Sequence, residues 1–323
     1  MIEVIVSQVV DVASDIRALT LESADGTPLP AYEPGAHIDV HVPGTSSPTI
    51  RQYSLCRAPG AAPAYEIAVQ RAPDSRGGSV ALHDNVRAGD RIAIEAPRCM
   101  FPIAADARRH LLVGGGIGVT PLLSMAEALA ARGAPFALHY CARNAAAAAF
   151  VDRLEEAPFE GHAQLHLDDR DGRPDIAALL GPFEAGTHVY VCGPDGFMRA
   201  VIDAAEAAGW PAEHVHREYF TVPTDTSAPE AADADGSFEV ELSSSGKVYV
   251  IPPGASIAEV LEADGVMLPL SCEAGVCGSC MTKVLAGIPD HRDYVLTPAE
   301  RDSGTVMCPC VSRALSKRLV LDV

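Results

Sequence analysis

No apolar run among the 323 residues approaches the roughly 20 that a membrane-spanning helix needs. The opening stretch, MIEVIVSQVV, carries an acid at Glu3 where a targeting segment would be basic. A cytoplasmic protein with no membrane partner is expected. Positive charge is also scarce: 24 Lys and Arg against 43 Asp and Glu leave a formal net charge of −19, and no basic run relieves it. Most of such a surface would repel a nucleic-acid backbone, so no nucleic-acid partner is expected. Internal repeats are lacking. What is present, 48% hydrophobic and 21% charged residues, excludes disorder for the chain as a whole, and the length favours two or three domains.

Three rhythms follow one another along the chain. Residues 1–103 alternate short β-type runs (HIDVHV, TIRQYSLC, YEIAVQR, DRIAIEA) with Gly/Pro turns, which predicts an antiparallel β-barrel. Residues 104–222 alternate buried strands with glycine turns and helices (HLLV, GGGIGVTP, LLSMAEALAARG, FALHYC, AQLHLD, HVYVCGP), which predicts an α/β domain on a parallel sheet. The run Ala145 to Ala149 reads as plain helix. Residues 223–236, rich in Pro and acids, have too little apolar surface for a core and read as a linker. In residues 237–323, SFEVEL and KVYVI flank the turn SSSG as a hairpin, and Ser256-Ile257-Ala258-Glu259 is a capping box opening a helix, which fits a small β-grasp-like domain.

Nine cysteines, an odd number, suit metal or redox ligation in a reducing compartment better than disulfides. Five crowd the last domain. Cys272, Cys277 and Cys280, followed by Cys308 after a 27-residue gap, have the C-x4-C-x2-C…C arrangement of a plant-type 2Fe-2S centre. Two irons need four thiolates, and the small residues Gly275, Gly278 and Ser279 allow a tight loop whose amides can hydrogen-bond the sulfurs. A structural zinc site would favour two C-x2-C knuckles, and one is present. No cysteine has a histidine two residues on, as a Rieske centre would require. Cys310 lies outside the pattern and reads as a free core thiol.

Two further motifs point to cofactors. Alternation along Ile50-Arg51-Gln52-Tyr53-Ser54 puts Arg51 and Tyr53 on one face. A guanidinium and an aromatic ring projecting together suit a flavin phosphate and ring, although the same pair is common on the surface or core of any barrel strand. Arg76-Gly77-Gly78-Ser79 precedes a helical stretch, so that Ser79 reads as an N-cap and the turn as an anion site. Gly114 to Pro121, between a strand and a helix, places glycines where a chain must approach a pyrophosphate. It departs from G-x-G-x-x-G at Val119, and no Gly-Lys-Ser/Thr follows it. Cys192-Gly193-Pro194 ends a strand at the ligand-binding edge expected of an open α/β sheet.

Taken in order, RQYS, SRGGS, GGGIGVTP, CGP, Glu218-Tyr219-Phe220 and the C-terminal cysteine cluster resemble the phthalate dioxygenase reductase family over nearly the whole chain. That resemblance implies FMN, NADH and a 2Fe-2S cluster as cofactors. Arg51, Gln52, Arg76, Gly77, Gly78 and Ser79 would hold FMN through its phosphate, with Tyr53 and Ser54 at the ring. Gly115, Gly116, Gly118, Thr120 and Pro121 would carry the NADH pyrophosphate, with Cys192, Gly193, Pro194, Glu218 and Phe220 near the nicotinamide or flavin. Arg143 would lie at the adenosine ribose, where an arginine could suggest a 2′-phosphate, whereas Asp168 or Asp169 would disfavour one and the family leans to NADH. No catalytic acid, base or nucleophile is needed, because the cofactors carry the chemistry. The implied partner is a separate terminal oxygenase, Rieske type, of an aromatic dioxygenase or O-demethylase system, and a monomer is expected. A haem monooxygenase as acceptor and a non-catalytic iron-sulfur redox sensor are the rival readings.

Overall fold

The computed structural model describes residues 1–45, 49–60, 63–72, 77–223 and 236–323. Arg76 and residues 224–235 of the predicted linker lie outside them. The described chain forms two compact units, Met1–Glu218 and Tyr219–Val323.

The first unit opens with the strands β1 (Ile2–Ala13), β2 (Ile16–Ser23), β3 (Ala36–His41), β4 (Ile50–Ser54) and β5 (Tyr65–Gln70). Helix α1 (Gly78–Asn85) and strands β6 (Arg91–Ile94) and β7 (Arg98–Cys99) follow. They pair antiparallel in the order β4-β3-β6-β1-β2-β5, with β7 on β3. A bridge between Leu55 and Ile67, beside the end of β4, closes this sheet into a barrel. Closure leaves no edge between β4 and β5 exposed for pairing. Val4, Val6, Leu21, Ile38, Val40, Leu55, Ile67 and Ile94, all fully buried, fill its interior, as period-2 alternation requires.

The same unit continues with β8 (Arg109–Gly115), α2 (Val119–Ala131), β9 (Phe136–Ala142), α3 (Val151–Leu154) and β10 (Ala163–Leu167). After these come α4 (Asp168–Asp171), α5 (Ile176–Leu180), β11 (Thr187–Cys192), α6 (Asp195–Ala207) and β12 (Val215–Glu218). The five strands are parallel in the order β10-β9-β8-β11-β12. All six residues of β11 are buried, as expected for a parallel strand covered on both faces. The reversal of strand order beside β8 puts the carboxyl ends of β8 and β11 at the switch point where ligands bind in open α/β sheets. The alanine run folds differently from the expected helix: Ala145–Ala147 make one 3-10 turn capped by the Asn144 side chain, and Ala148 and Ala149 leave it to become buried.

A half-buried charge network ties the barrel to the parallel sheet. The Arg153 guanidinium donates to Glu66 Oε1 at 2.8 Å, to Glu127 Oε1 at 2.5 Å and to the Cys56 carbonyl at 2.6 Å. Glu127 also accepts from Arg57 and from the Ala58 amide, at 3.2 and 2.7 Å. Several charge-assisted bonds from one guanidinium are what allow such charges to give up much of their water.

In the second unit, β13 (Phe238–Leu242) and β14 (Val248–Ile251) form the expected hairpin, and Ser256 and Glu259 close the expected capping box on α7 (Ile257–Ala263). Strand β15 (Thr282–Ala286), β16 (Pro289–Asp290), α8 (Pro298–Ser303), β17 (Val306–Met307), β18 (Arg313–Ala314) and β19 (Arg318–Leu321) complete it. The order β14-β13-β19-β15-β17, with β13 and β19 parallel and α7 packed on the sheet, is a β-grasp. No helix among the described residues is long and apolar enough to cross a membrane.

Candidate functional site

Strand β4 has two chemically distinct faces. Arg51 and Tyr53 pair across the ladder with Val40 and Ile38, whereas Gln52 and Ser54 pair with Asp39 and His37. The Arg51 side chain lies across the start of α1: a β-carbon added to Gly78 would sit 2.8 Å from its Cγ and 2.9 Å from its Nε. Only glycine lets the guanidinium stem and the helix N-terminus share that space. Gly77, at φ 86°, turns the chain into the helix. A cation beside the amides of a helix start is an arrangement that can hold an anion. Ser79 is not the cap. It stands inside α1, and its hydroxyl accepts the Ala72 amide at 3.1 Å.

The nucleotide turn is built by close approach. Strand β8 runs through Gly115, a 3-10 turn spans Gly116–Gly118, and α2 begins at Val119. A β-carbon on Gly118 would lie 2.4 Å from the Cys192 carbonyl, and one on Gly193 would lie 3.0 Å from Gly115 Cα. The loops after β8 and β11 therefore touch backbone to backbone. Thr120 is buried and donates its hydroxyl to the Ile117 carbonyl at 3.0 Å, and Pro121 is buried in the first turn of α2. Pro194 caps α6. Arg143 is exposed at the end of β9, where its carbonyl accepts the Asp169 amide at 3.1 Å, so Arg143 and the acids Asp168 and Asp169 share one strand-end corner.

These two halves meet at Glu218, the last residue of β12. Its neighbour in register on β11 is Cys192, and its Oε2 accepts from Ser54 Oγ on β4 at 3.5 Å. Burial pushes the Glu218 carboxyl up to about 8, opposed by the Ser54 hydrogen bond. Burial likewise pushes the Cys192 thiol far above its ordinary range and raises the Tyr53 phenol. Phe220, 40% exposed, belongs to the second unit. Sequence reading missed His37, whose imidazole stands beside Ser54 in the β3–β4 register. The signal was available in HIDVHV, since a histidine on a barrel strand opposite RQYS is inside the same site.

The second unit brings together five sulfurs where four were expected. The loop 272–280 presents its amides inward: Ala274 N–H donates to Cys272 Sγ and Ser279 N–H to Cys277 Sγ, both at 3.4 Å. Gly275, at φ 72°, passes so close to Val311 and Asp293 that a β-carbon would lie 2.7 Å from Val311 Cγ2. Cys310 is no isolated core thiol. Its sulfur lies 3.2 Å from Cys280 Sγ and is met by the Gly275 amide, while Cys308, fully buried, also lies against Cys280, with Asp293 near. Contacts between the sulfurs lower the Cys272 and Cys280 thiols and raise Cys277, Cys308 and Cys310, as expected of closely packed thiols that share protons. Among the described residues no three His, Cys, Asp or Glu converge as for a single metal ion, whereas a binuclear cluster spreads its thiolates over two irons. The donor set and inward amides fit 2Fe-2S.

Comparison with known proteins agrees with each part. Residues 3–102 match the oxidoreductase FAD-binding domain, residues 96–215 the dimethylamine monooxygenase subunit DmmA-like N-terminal domain, and residues 240–315 the 2Fe-2S iron-sulfur cluster binding domain. The chain is 48% identical, over the full length of both, to a vanillate O-demethylase oxidoreductase of Pseudomonas sp. (strain HR199 / DSM 7063). It is similar to the solved structure of a phthalate dioxygenase reductase, at 38% identity and TM-score 0.71, over 99% of this chain and 97% of that one. It is also similar to a type IV self-sufficient cytochrome P450 monooxygenase, at 34% identity and TM-score 0.90, where it spans 41% of that longer polypeptide.

Proposed function

The chain belongs to the phthalate dioxygenase reductase family of flavin and 2Fe-2S oxidoreductases, and from that premise we propose that it takes hydride from NADH onto FMN and passes single electrons through its cluster to a separate Rieske-type oxygenase. The observation that carries this reading is the meeting of Ser54 from the barrel with Glu218 and Cys192 from the edge of the parallel sheet. A flavin ring on β4 and a nicotinamide at the carboxyl ends of β8 and β11 would face each other there. The flavin supplies a centre able to hold one or two electrons, which reconciles a two-electron donor with a one-electron cluster.

Each residue then has a task. Arg51, with Gly77, Gly78 and the start of α1, seats the phosphate, as would Arg76. Tyr53 and Ser54 line the ring. The Gly115–Pro121 turn accepts the pyrophosphate on backbone amides. Asp168 and Asp169, beside Arg143, place negative charge where NADPH would bring its 2′-phosphate, which favours NADH. The cluster is held by Cys272, Cys277, Cys280 and, as the fourth ligand, Cys310 in preference to Cys308. Cys310 is the sulfur that the loop amide of Gly275 faces. The relatives' names, a vanillate O-demethylase oxidoreductase and a phthalate dioxygenase reductase, support a separate oxygenase as acceptor, and the likeness to a self-sufficient P450 supports a haem acceptor as the second reading.

Anaerobic titration with NADH tests the proposal. It is expected to bleach the flavin and then produce the electron paramagnetic resonance signal of a reduced 2Fe-2S centre, with NADPH far slower and FMN as the flavin released on denaturation. Absence of flavin reduction by NADH, or release of FAD, would overturn the corresponding part. Turnover with purified oxygenase components separates the Rieske from the haem acceptor.

A further inference from the structure

His37 is buried on β3, 5% exposed, with no task in the arrangement above. Its Nε2 lies 3.2 Å from Gln52 Nε2, and its Nδ1 lies 4.0 Å from Glu218 Oε1. The charged and titratable groups around this pair come from four strands. They are Asp39 on β3, Arg98 and Cys99 on β7, Cys192 on β11 and Glu218 itself on β12. Arg98 and Asp39 largely cancel each other in an ion pair of 2.7 Å. Burial, aided by Arg98, holds the imidazole down at about 4 and therefore neutral.

A neutral imidazole has one N–H and one lone pair, and the partner of one nitrogen decides the other. The Gln52 amide nitrogen is a donor, so Nε2 accepts and the proton sits on Nδ1, the nitrogen facing Glu218. We propose that His37 is a positioning residue, an Nδ1–H donor that holds an oxygen of the Glu218 carboxyl group against Ser54 where the flavin strand meets the nicotinamide edge. The separation of 4.0 Å is longer than a hydrogen bond, and such contacts shorten when a site fills. This inference rests on the proposed function, because Glu218 matters only if hydride crosses that junction.

A donor to the carboxylate stabilises its ionised form, so removing it raises the pH at which Glu218 ionises. In the holoenzyme, His37→Phe is expected to move the pH profile of NADH-driven dye reduction upward by about 0.5–1 unit, with flavin and iron contents unchanged. His37→Gln, which restores an N–H donor, is expected to bring the profile back toward wild type. Nitrogen-15 NMR of histidine-labelled wild type reads the tautomer directly and is expected to show Nδ1–H at the His37 signal, identified by its loss in the variant. An unmoved profile in His37→Phe, or an Nε2–H or protonated ring at neutral pH, overturns the inference. Should His37→Phe fail to retain flavin, the wild-type tautomer decides, with the signal then assigned from His37→Gln. Wild-type protein that does not oxidise NADH would overturn the proposed function instead, and the tautomer would still settle the orientation of His37.

Discussion

Replacing Cys310 by serine and Cys308 by alanine, one at a time, separates a ligand from a core residue two positions away. Cys308 is fully buried among Met307, Leu319, Leu321 and Ile257. Its truncation deletes one atom close in bulk to a methylene, which costs about 1 kcal/mol with the small cavity left behind. For a unit the size of Tyr219–Val323 that is a fall of roughly 4–6 °C in its thermal midpoint. The Cys310 sulfur, 3.2 Å from Cys280 Sγ, is the one that the Gly275 amide meets, so under the proposed ligation its loss removes one of the four thiolates that two irons require. Cys310→Ser is therefore expected to purify with little or no iron and sulfide, and to lose transfer to a one-electron protein acceptor. Its NADH-driven dye reduction, which needs only the first unit, should survive. Cys308→Ala is expected to keep two irons, two sulfides and both activities. Iron and sulfide assays with paramagnetic resonance on anaerobically prepared protein decide the matter. Loss of the cluster in Cys308→Ala with its retention in Cys310→Ser would refute the reasoning.

Three further outcomes are expected. Arg51→Ala should weaken flavin retention at least tenfold, measured by fluorescence of released flavin on dilution; unchanged occupancy would count against a phosphate seat at α1. Arg153→Met removes the shared cation from Glu66 and Glu127, whose side chains are only 16% and 10% exposed. With Arg57 still present to compensate, the cost should be about 3 kcal/mol, visible as a fall of roughly 6–12 °C in calorimetry; a shift within 2 °C or so would show the network to be dispensable. Glu218 holds its proton up to about 8 when folded but releases it near 4.5 when unfolded. Its contribution to stability is thus complete below pH 4.5 and lost as pH rises through about 8. Glu218→Gln should accordingly melt higher than wild type at pH 8–9 and lose that advantage near pH 5; equal midpoints across the range would deny the buried carboxyl.

The barrel and the parallel sheet were legible because core-lining apolar residues recur at every second position of β3 (Ala36, Ile38, Val40) and β5 (Tyr65, Ile67, Val69), and near-continuous apolar runs mark β8 and β11. The hairpin and capping box of the last domain were legible because turns and helix starts are local. Ser79 was misplaced because cap position depends on where the backbone leaves the helix, and the left-handed Gly77 sets that point. The alanine run misled because propensity favours helix, whereas packing of Ala148 and Ala149 into the interior ends the turn after Ala147. Spacing named Cys308 as the fourth sulfur, and the structure sets both Cys308 and Cys310 against Cys280, because chain positions two apart can reach one site where the chain bends.

Residue order alone determined that three segments would fold with three periodicities, that one of them would gather thiolates, and that glycines would stand where backbone must come near a phosphate. These are local matters of alternation, turn chemistry and composition. The tertiary structure decided which groups share a site: Glu218 with Ser54 and His37 from 164 and 181 residues away, Arg153 between Glu66 and Glu127, and Cys310 beside Cys280. Closing the barrel and wrapping the parallel sheet bring those strands together, and the electrostatics of a buried group depend on neighbours that chain distance does not reveal.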